Sequence, residues 1–167
     1  MGPIQKRPSI SRPGLNSSSV VLVRIPGAVC AFPIEAVVET TRPLPTSAFT
    51  GMPEFLLGIA LVRGIPTPVV DLNSLFQGSS HAAATRFVIL RTGERTVAVL
   101  VEAVLGVVEI DRSVLQDLPP ALQSARSDLI EAVGRTDSEL LVTLRIGRLV
   151  PDAVWESLTS EAGGKPQ

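Results

Sequence analysis

Between residues 20 and 147 the chain is cut by turn signals into short apolar runs rich in β-branched residues, with no long helical period between them. Residues 20–25 are apolar, Pro26-Gly27 is a turn pair and residues 28–32 return, which spells a first hairpin. Strand-like residues 37–41 stop at Arg42-Pro43-Leu44-Pro45, where two prolines fix φ and remove donors. Pro53 is expected to open a short helical turn that ends at Gly58, followed by strands at 59–63 and 67–72 and a turn or short helix at 73–76. Beyond the polar break Gln77-Gly78-Ser79-Ser80-His81, strands at 86–91 and 96–104 flank Thr92-Gly93-Glu94-Arg95, a hairpin connection with glycine where a positive φ is favoured. Residues 107–110 read as a strand, and Asp111 as the cap of a short helix at 112–116 closed by Pro119-Pro120. Strands at 130–135 and 140–146 precede a helix at 148–158, whose Leu149, Val150, Val154, Trp155 and Leu158 share one face. Short strands at this spacing predict an all-β sandwich or barrel and leave no room for a parallel sheet with crossover helices.

Composition agrees with one folded unit between two tails. At 167 residues and 45% apolar side chains the chain is long enough to bury about two-thirds of its unfolded surface. Residues 1–19, rich in Ser, Pro, Gly and Asn, predict a disordered N-terminal tail, and residues 159–167 a second. The first tail carries Lys6, Arg7 and Arg12 and no acid, whereas residues 20–158 hold eleven arginines against fifteen carboxylates, a net of −4 that disfavours nucleic acid. Within residues 20–158 two halves are expected, 20–82 and 84–147, followed by the closing helix at 148–158. No run of 18 apolar residues and no apolar h-region occurs, so a cytoplasmic protein is expected, reaching a membrane only through partners.

Most enzyme chemistry lacks its raw material. Lysine occurs only at positions 6 and 165, which removes Schiff-base and P-loop lysines from the folded part. A triad would have to use His81, the single histidine, in a polar loop. One Cys and one His cannot make a zinc site, the glycines are scattered one per turn, and Cys30 among Val29, Ala31 and Phe32 reads as a buried thiol. The carboxylate pairs Glu35 with Glu39, Asp111 with Asp117 and Asp137 with Glu139 read as solvated faces or turns. No catalytic residue, metal or cofactor is therefore expected.

The ordered series Glu54 to Leu72 resembles the signature of the CheW domain: a short apolar turn, Gly58, a strand ending Leu61-Val62-Arg63-Gly64, then Pro68-Val69-Val70-Asp71-Leu72. The likeness extends over residues 20–158 and includes Phe32, Val37-Val38-Glu39 and the long segment 97–110 with Glu102 before Ala103-Val104. Leu61 stands where the motif has Asn, so any hydrogen bond the family makes there is missing. The resemblance implies two five-stranded SH3-like β-barrel subdomains sharing a hydrophobic core. It also implies a non-enzymatic adaptor that couples a chemoreceptor's hairpin tip to the regulatory domain of a CheA-type histidine kinase.

Site residues follow from the same match. Arg63, before Gly64, is expected to meet Glu39 on a neighbouring strand, either fixing the barrel edge or presenting its guanidinium to a partner. In residues 96–104 both faces are apolar, so one face needs cover beyond its own barrel. In the family a valine-lined groove between the barrels receives the receptor tip, which implies Val37, Val99, Val101, Val104 and Val107. Two alternatives stand beside this reading: a CheW-like adaptor of a non-chemotactic pathway, and a small β-barrel enzyme or ligand-binding protein, which would need a polar pocket.

Overall fold

The computed structural model of the chain describes residues 16–77, 84–120, 127–136 and 138–162. Residues 1–15 and 163–167 of the predicted tails, most of the polar break with His81, and Asp137 lie outside the described residues, whereas residues 17–19, expected in the first tail, are strand because they pair with residues 109–111. The strands are β1 (Ser17–Ile25), β2 (Ala28–Pro33), β3 (Val37–Thr41), β4 (Thr46–Ala48), β5 (Leu56–Val62), β6 (Ile65–Asp71), β7 (Arg86–Thr92), β8 (Arg95–Val101), β9 (Ala103–Asp111), β10 (Ile130–Arg135) and β11 (Leu140–Leu144). Among the described residues the α-helices are α1 (Leu72–Gln77), between β6 and β7, and α2 (Asp152–Ala162), after β11.

The strands form two sheets, ordered β10-β11-β2-β1-β9 and β3-β7-β8-β6-β5-β4. The expected equal barrels of five strands are thus a five-stranded and a six-stranded sheet. Nor do the sheets divide the chain near residue 82: β1 and β2 pair with strands from the C-terminal end, while β3 to β6 join β7 and β8. The chain crosses back at Glu102, whose amide donates to the Arg24 carbonyl at 3.0 Å. The division at 20–82 and 84–147 fails because hairpins report only local pairing, and the parallel pairs β11 with β2 and β6 with β8 are set by tertiary contacts.

One core is shared between the sheets. Val21, Val23, Cys30 and Phe32 from the first meet Val70, Val88, Leu90, Val97, Val99 and Val101 from the second, with α2 adding Val154 and Trp155. The far face of each sheet has a smaller cluster of its own: Val69, Phe87, Ile89 and Ala98 in one, Val20, Leu22, Val29 and Leu141 in the other. Each fully buried valine contributes about 1.5–3 kcal/mol by leaving water, so the shared cluster binds the two sheets into one folding unit. At Gly58, with φ 149°, a Cβ would lie 1.8 Å from the Ser47 carbonyl oxygen; only glycine lets β4 approach β5 there.

Three local expectations change. Residues 53–57 hold no helix, only a turn in which the Leu56 amide donates to the Pro53 carbonyl at 2.9 Å before β5 begins. The segment after β9 is a single 3-10 turn, Arg112–Val114, capped as expected by Asp111, whose carboxylate accepts from the Ser113 amide and is held below the usual carboxylate range by it. The closing helix starts at Asp152, because Ile146–Arg148 forms a 3-10 turn and Pro151 has no amide to continue a helix, and it runs on to Ala162 through part of the expected tail.

Candidate interaction surface

The turn between β5 and β6 consists of Arg63 and Gly64 alone, with Val62 opposite Ile65. Both residues have positive φ, 51° at Arg63 and 79° at Gly64, as a two-residue turn matched to strand twist requires. For Arg63 that conformation is strained, the kind of outlier that surrounding contacts must hold in place. The contact is Glu39: Arg63 Nε donates to Oε1 at 2.9 Å and Nη2 to Oε2 at 2.7 Å, a two-pronged pair. Those hydrogen bonds hold Glu39 below the usual carboxylate range and raise Arg63. Because β3 is one edge of its sheet and β5 lies near the other, the pair ties the hairpin tip across the curl of the sheet.

Apolar side chains border this pair. Val38 precedes Glu39 and is 47% exposed; Leu61 and Ile65 flank the turn at 63% and 60%. Val38 is the extra residue of a β-bulge, since the register passes from Val37 opposite Leu90 to Glu39 opposite Ile89. On the other sheet, edge strand β9 exposes Leu105 (46%) and Val107 (60%), and Leu105 is again a bulge residue, skipped between Gly106 and Val104 in the pairing with β1. Val37 and Val104 are half-buried against the shared core, at its margin.

Val99 and Val101 do not belong to any groove in this structure. Both are fully buried in the shared core, because β8 is interior to its sheet and the cover its second face needs comes from the other sheet. The structure therefore brings Glu39, Arg63 and Gly64 together, leaves Val37, Val104 and Val107 at the surface or its margin, and withdraws Val99 and Val101. Among the exposed apolar residues, Val38, Leu61 and Ile65 beside the Glu39–Arg63 pair and Leu105 on β9 are ones that the sequence reading did not place at the surface. The two-residue turn was a usable signal for Leu61 and Ile65, while the bulges left none.

Elsewhere the surface chemistry is sparse. Cys30 is fully buried, and burial alone pushes its thiol up, away from thiolate chemistry. Among the described residues no three His, Cys, Asp or Glu side chains gather as a metal site, and no helix is long and apolar enough to cross a membrane. A cleft of about 550 Å³ lies between the β7–β8 turn and α2, where Arg95 stacks 5.1 Å from the Trp155 ring and lies 3.4 Å from Asp152. Two sheets around one core, with an ordered ion pair among exposed apolar side chains, define a β-sheet domain with one candidate interaction surface.

The comparisons identify which kind. The model of the CheW-like domain matches residues 19–154, and the chain belongs to that family. It is 25% identical over 100 residues to the chemotaxis protein CheW of Klebsiella aerogenes, a match that covers 59% of this chain and 60% of that protein. The CheW protein of Helicobacter pylori is 20% identical over 122 residues, covering 72% of this chain and 73% of the relative. In fold the chain resembles the crystal structure of the scaffolding protein TtCheW from Thermoanaerobacter tengcongensis, with a TM-score of 0.68, 22% identity, and coverage of 81% and 87% of the two chains.

Proposed function

We propose that this protein is a coupling adaptor of bacterial chemotaxis. It makes and breaks no bonds; it holds a chemoreceptor's cytoplasmic hairpin tip and the regulatory domain of a CheA-type histidine kinase in one complex. The observation that carries this reading is the strained Arg63 locked by both carboxylate oxygens of Glu39, with exposed Val38, Leu61 and Ile65 around it. The likeness to proteins named CheW and to a scaffolding protein supports it. Strained backbone, oriented charge and unburied apolar side chains are each unfavourable in an isolated chain and favourable at an interface.

Val37, Glu39, Arg63, Gly64, Val104 and Val107 remain the proposed partner-binding residues, joined by Val38 and Leu105. The receptor tip would lie along the apolar margin formed by β3 and β9, burying the side chains that water now reaches. By fixing the relative placement of receptor and kinase, the adaptor lets a small receptor shift bias the kinase between active and inactive states. The protein would work at the cytoplasmic face of the membrane, recruited there by its receptors.

Co-sedimentation with a receptor signalling fragment and the kinase tests this reading. Wild type enters the complex, Arg63→Ala enters it weakly, and Val107→Glu stays folded but is left in the supernatant. A folded wild type that joins neither partner overturns the proposal.

A further inference from the structure

The five-stranded sheet is nearly a closed barrel, because Gln116, just beyond β9, exchanges backbone hydrogen bonds of 2.7 and 2.8 Å with Val133 on the opposite edge strand β10. Its end is not filled. A cavity of about 320 Å³ opens there, walled by Val20, Ala31, Ile110 and Leu115, with Arg112 and Glu131 also lining it. Ala31 and Ala132 are small where larger side chains would close the space. That volume is at the lower end of small-molecule sites, which favour barrel mouths with apolar walls and few polar groups.

Both charged side chains are exposed at the cavity mouth, and neither has an ion partner among the described residues. Arg112 donates from Nε to Ser18 Oγ at 2.7 Å, which fixes the plane of the guanidinium, and its two terminal nitrogens have no partner among the described residues. Glu131 is the extra residue of a β-bulge, where the register jumps from Ile130 opposite Leu144 to Ala132 opposite Thr143. Bulges re-aim side chains and are frequent beside binding sites. Arg145 braces the same stretch, donating from Nη1 to the carbonyls of Asp128 and Ile130 at 2.8 and 2.9 Å. Arg112 and Glu131 do not pair with each other, so one cavity carries an available cation and an available anion.

We propose that this cavity binds a small zwitterion with an aliphatic side chain, of the class of valine or leucine. Its carboxylate would face Arg112, its ammonium Glu131, and its side chain the apolar interior. A simple anion would meet Glu131 unfavourably and a simple cation Arg112, so a ligand bearing both charges replaces water at both groups most favourably. The site belongs to the five-stranded sheet, whereas the Glu39–Arg63 pair belongs to the six-stranded one; loss of this proposal leaves the adaptor reading untouched.

Titration calorimetry on the full chain with L-leucine, L-alanine, 4-methylpentanoate and 3-methylbutylamine tests it. Leucine is expected to bind, and alanine to bind about 50-fold more weakly, since each buried methylene is worth about fourfold. The two single-charge analogues should each lose roughly tenfold or more. Arg112→Gln and Glu131→Gln should lower leucine affinity by about tenfold each, with melting curves close to wild type. Absence of leucine binding at concentrations on the order of 10 mM, equal affinity for 4-methylpentanoate, or unchanged affinity in both variants would overturn the proposal.

Discussion

Strands β8 and β9 are consecutive, separated only by Glu102, and nearly equal in valine content, yet they have opposite fates. β8 lies inside the six-stranded sheet, with Val97, Val99 and Val101 in the shared core and Ala98 and Leu100 in the cluster behind it. β9 forms the edge of the other sheet and leaves Leu105 and Val107 in water. Hydrophobicity alone does not separate a core strand from an exposed one; position in the sheet does. An exposed apolar edge is a liability in an isolated protein, which fits the proposed partner-binding surface.

The largest effect should come from Val99→Glu, which buries a carboxylate with no partner in the shared core. A loss of about 4 kcal/mol or more is expected, enough to leave little folded protein by circular dichroism. The variant therefore cannot report on docking, despite the place Val99 was given in the expected groove. Val101→Ala keeps the fold and costs about 2 kcal/mol in denaturant unfolding, the transfer term plus a small cavity. Val107→Glu, on the edge strand, should change stability by no more than about 0.5 kcal/mol while abolishing co-sedimentation. If Val107→Glu unfolded as readily as Val99→Glu, the contrast between the strands would be broken.

The smallest effect concerns the Glu39–Arg63 pair and is read through pH. Arg63 holds the folded carboxyl of Glu39 below its ordinary value. Its contribution is thus present above the unfolded glutamate pKa of about 4.3 and is lost as pH falls through the lower folded value. Wild type and Arg63→Ala should differ slightly in melting temperature at pH 7 and coincide at strongly acid pH. A difference that persisted in acid would mean that Arg63 matters through its turn geometry and not through Glu39. The Arg24–Glu139 pair, which joins β1 to the start of β11 at 2.6 Å, obeys the same sign because Glu139 is also lowered by its hydrogen bond from arginine.

Much of this was legible without coordinates. Residues 20–32, 59–72 and 86–104 read as hairpins or strand pairs because turn chemistry and β-branched runs are local signals, and Glu39 and Arg63 stood out as a pair through the family resemblance. Less legible were the bulges. At Val38, Leu105 and Glu131 one inserted residue shifts the two-residue alternation, so which side chains face out cannot be read from local pattern. The barrel-end cavity was equally hidden, since its lining comes from residues near 20, 31, 112, 131 and 143, far apart in the chain.

Local order thus determined the strands, their turns, the apolar character of β8 and β9, and the poverty of catalytic side chains. Only the tertiary structure decided which valines are core and which are surface. That choice rests on strand order and on the cover one sheet gives the other, both set by contacts between distant segments, and neighbouring residues carry no energy that distinguishes them.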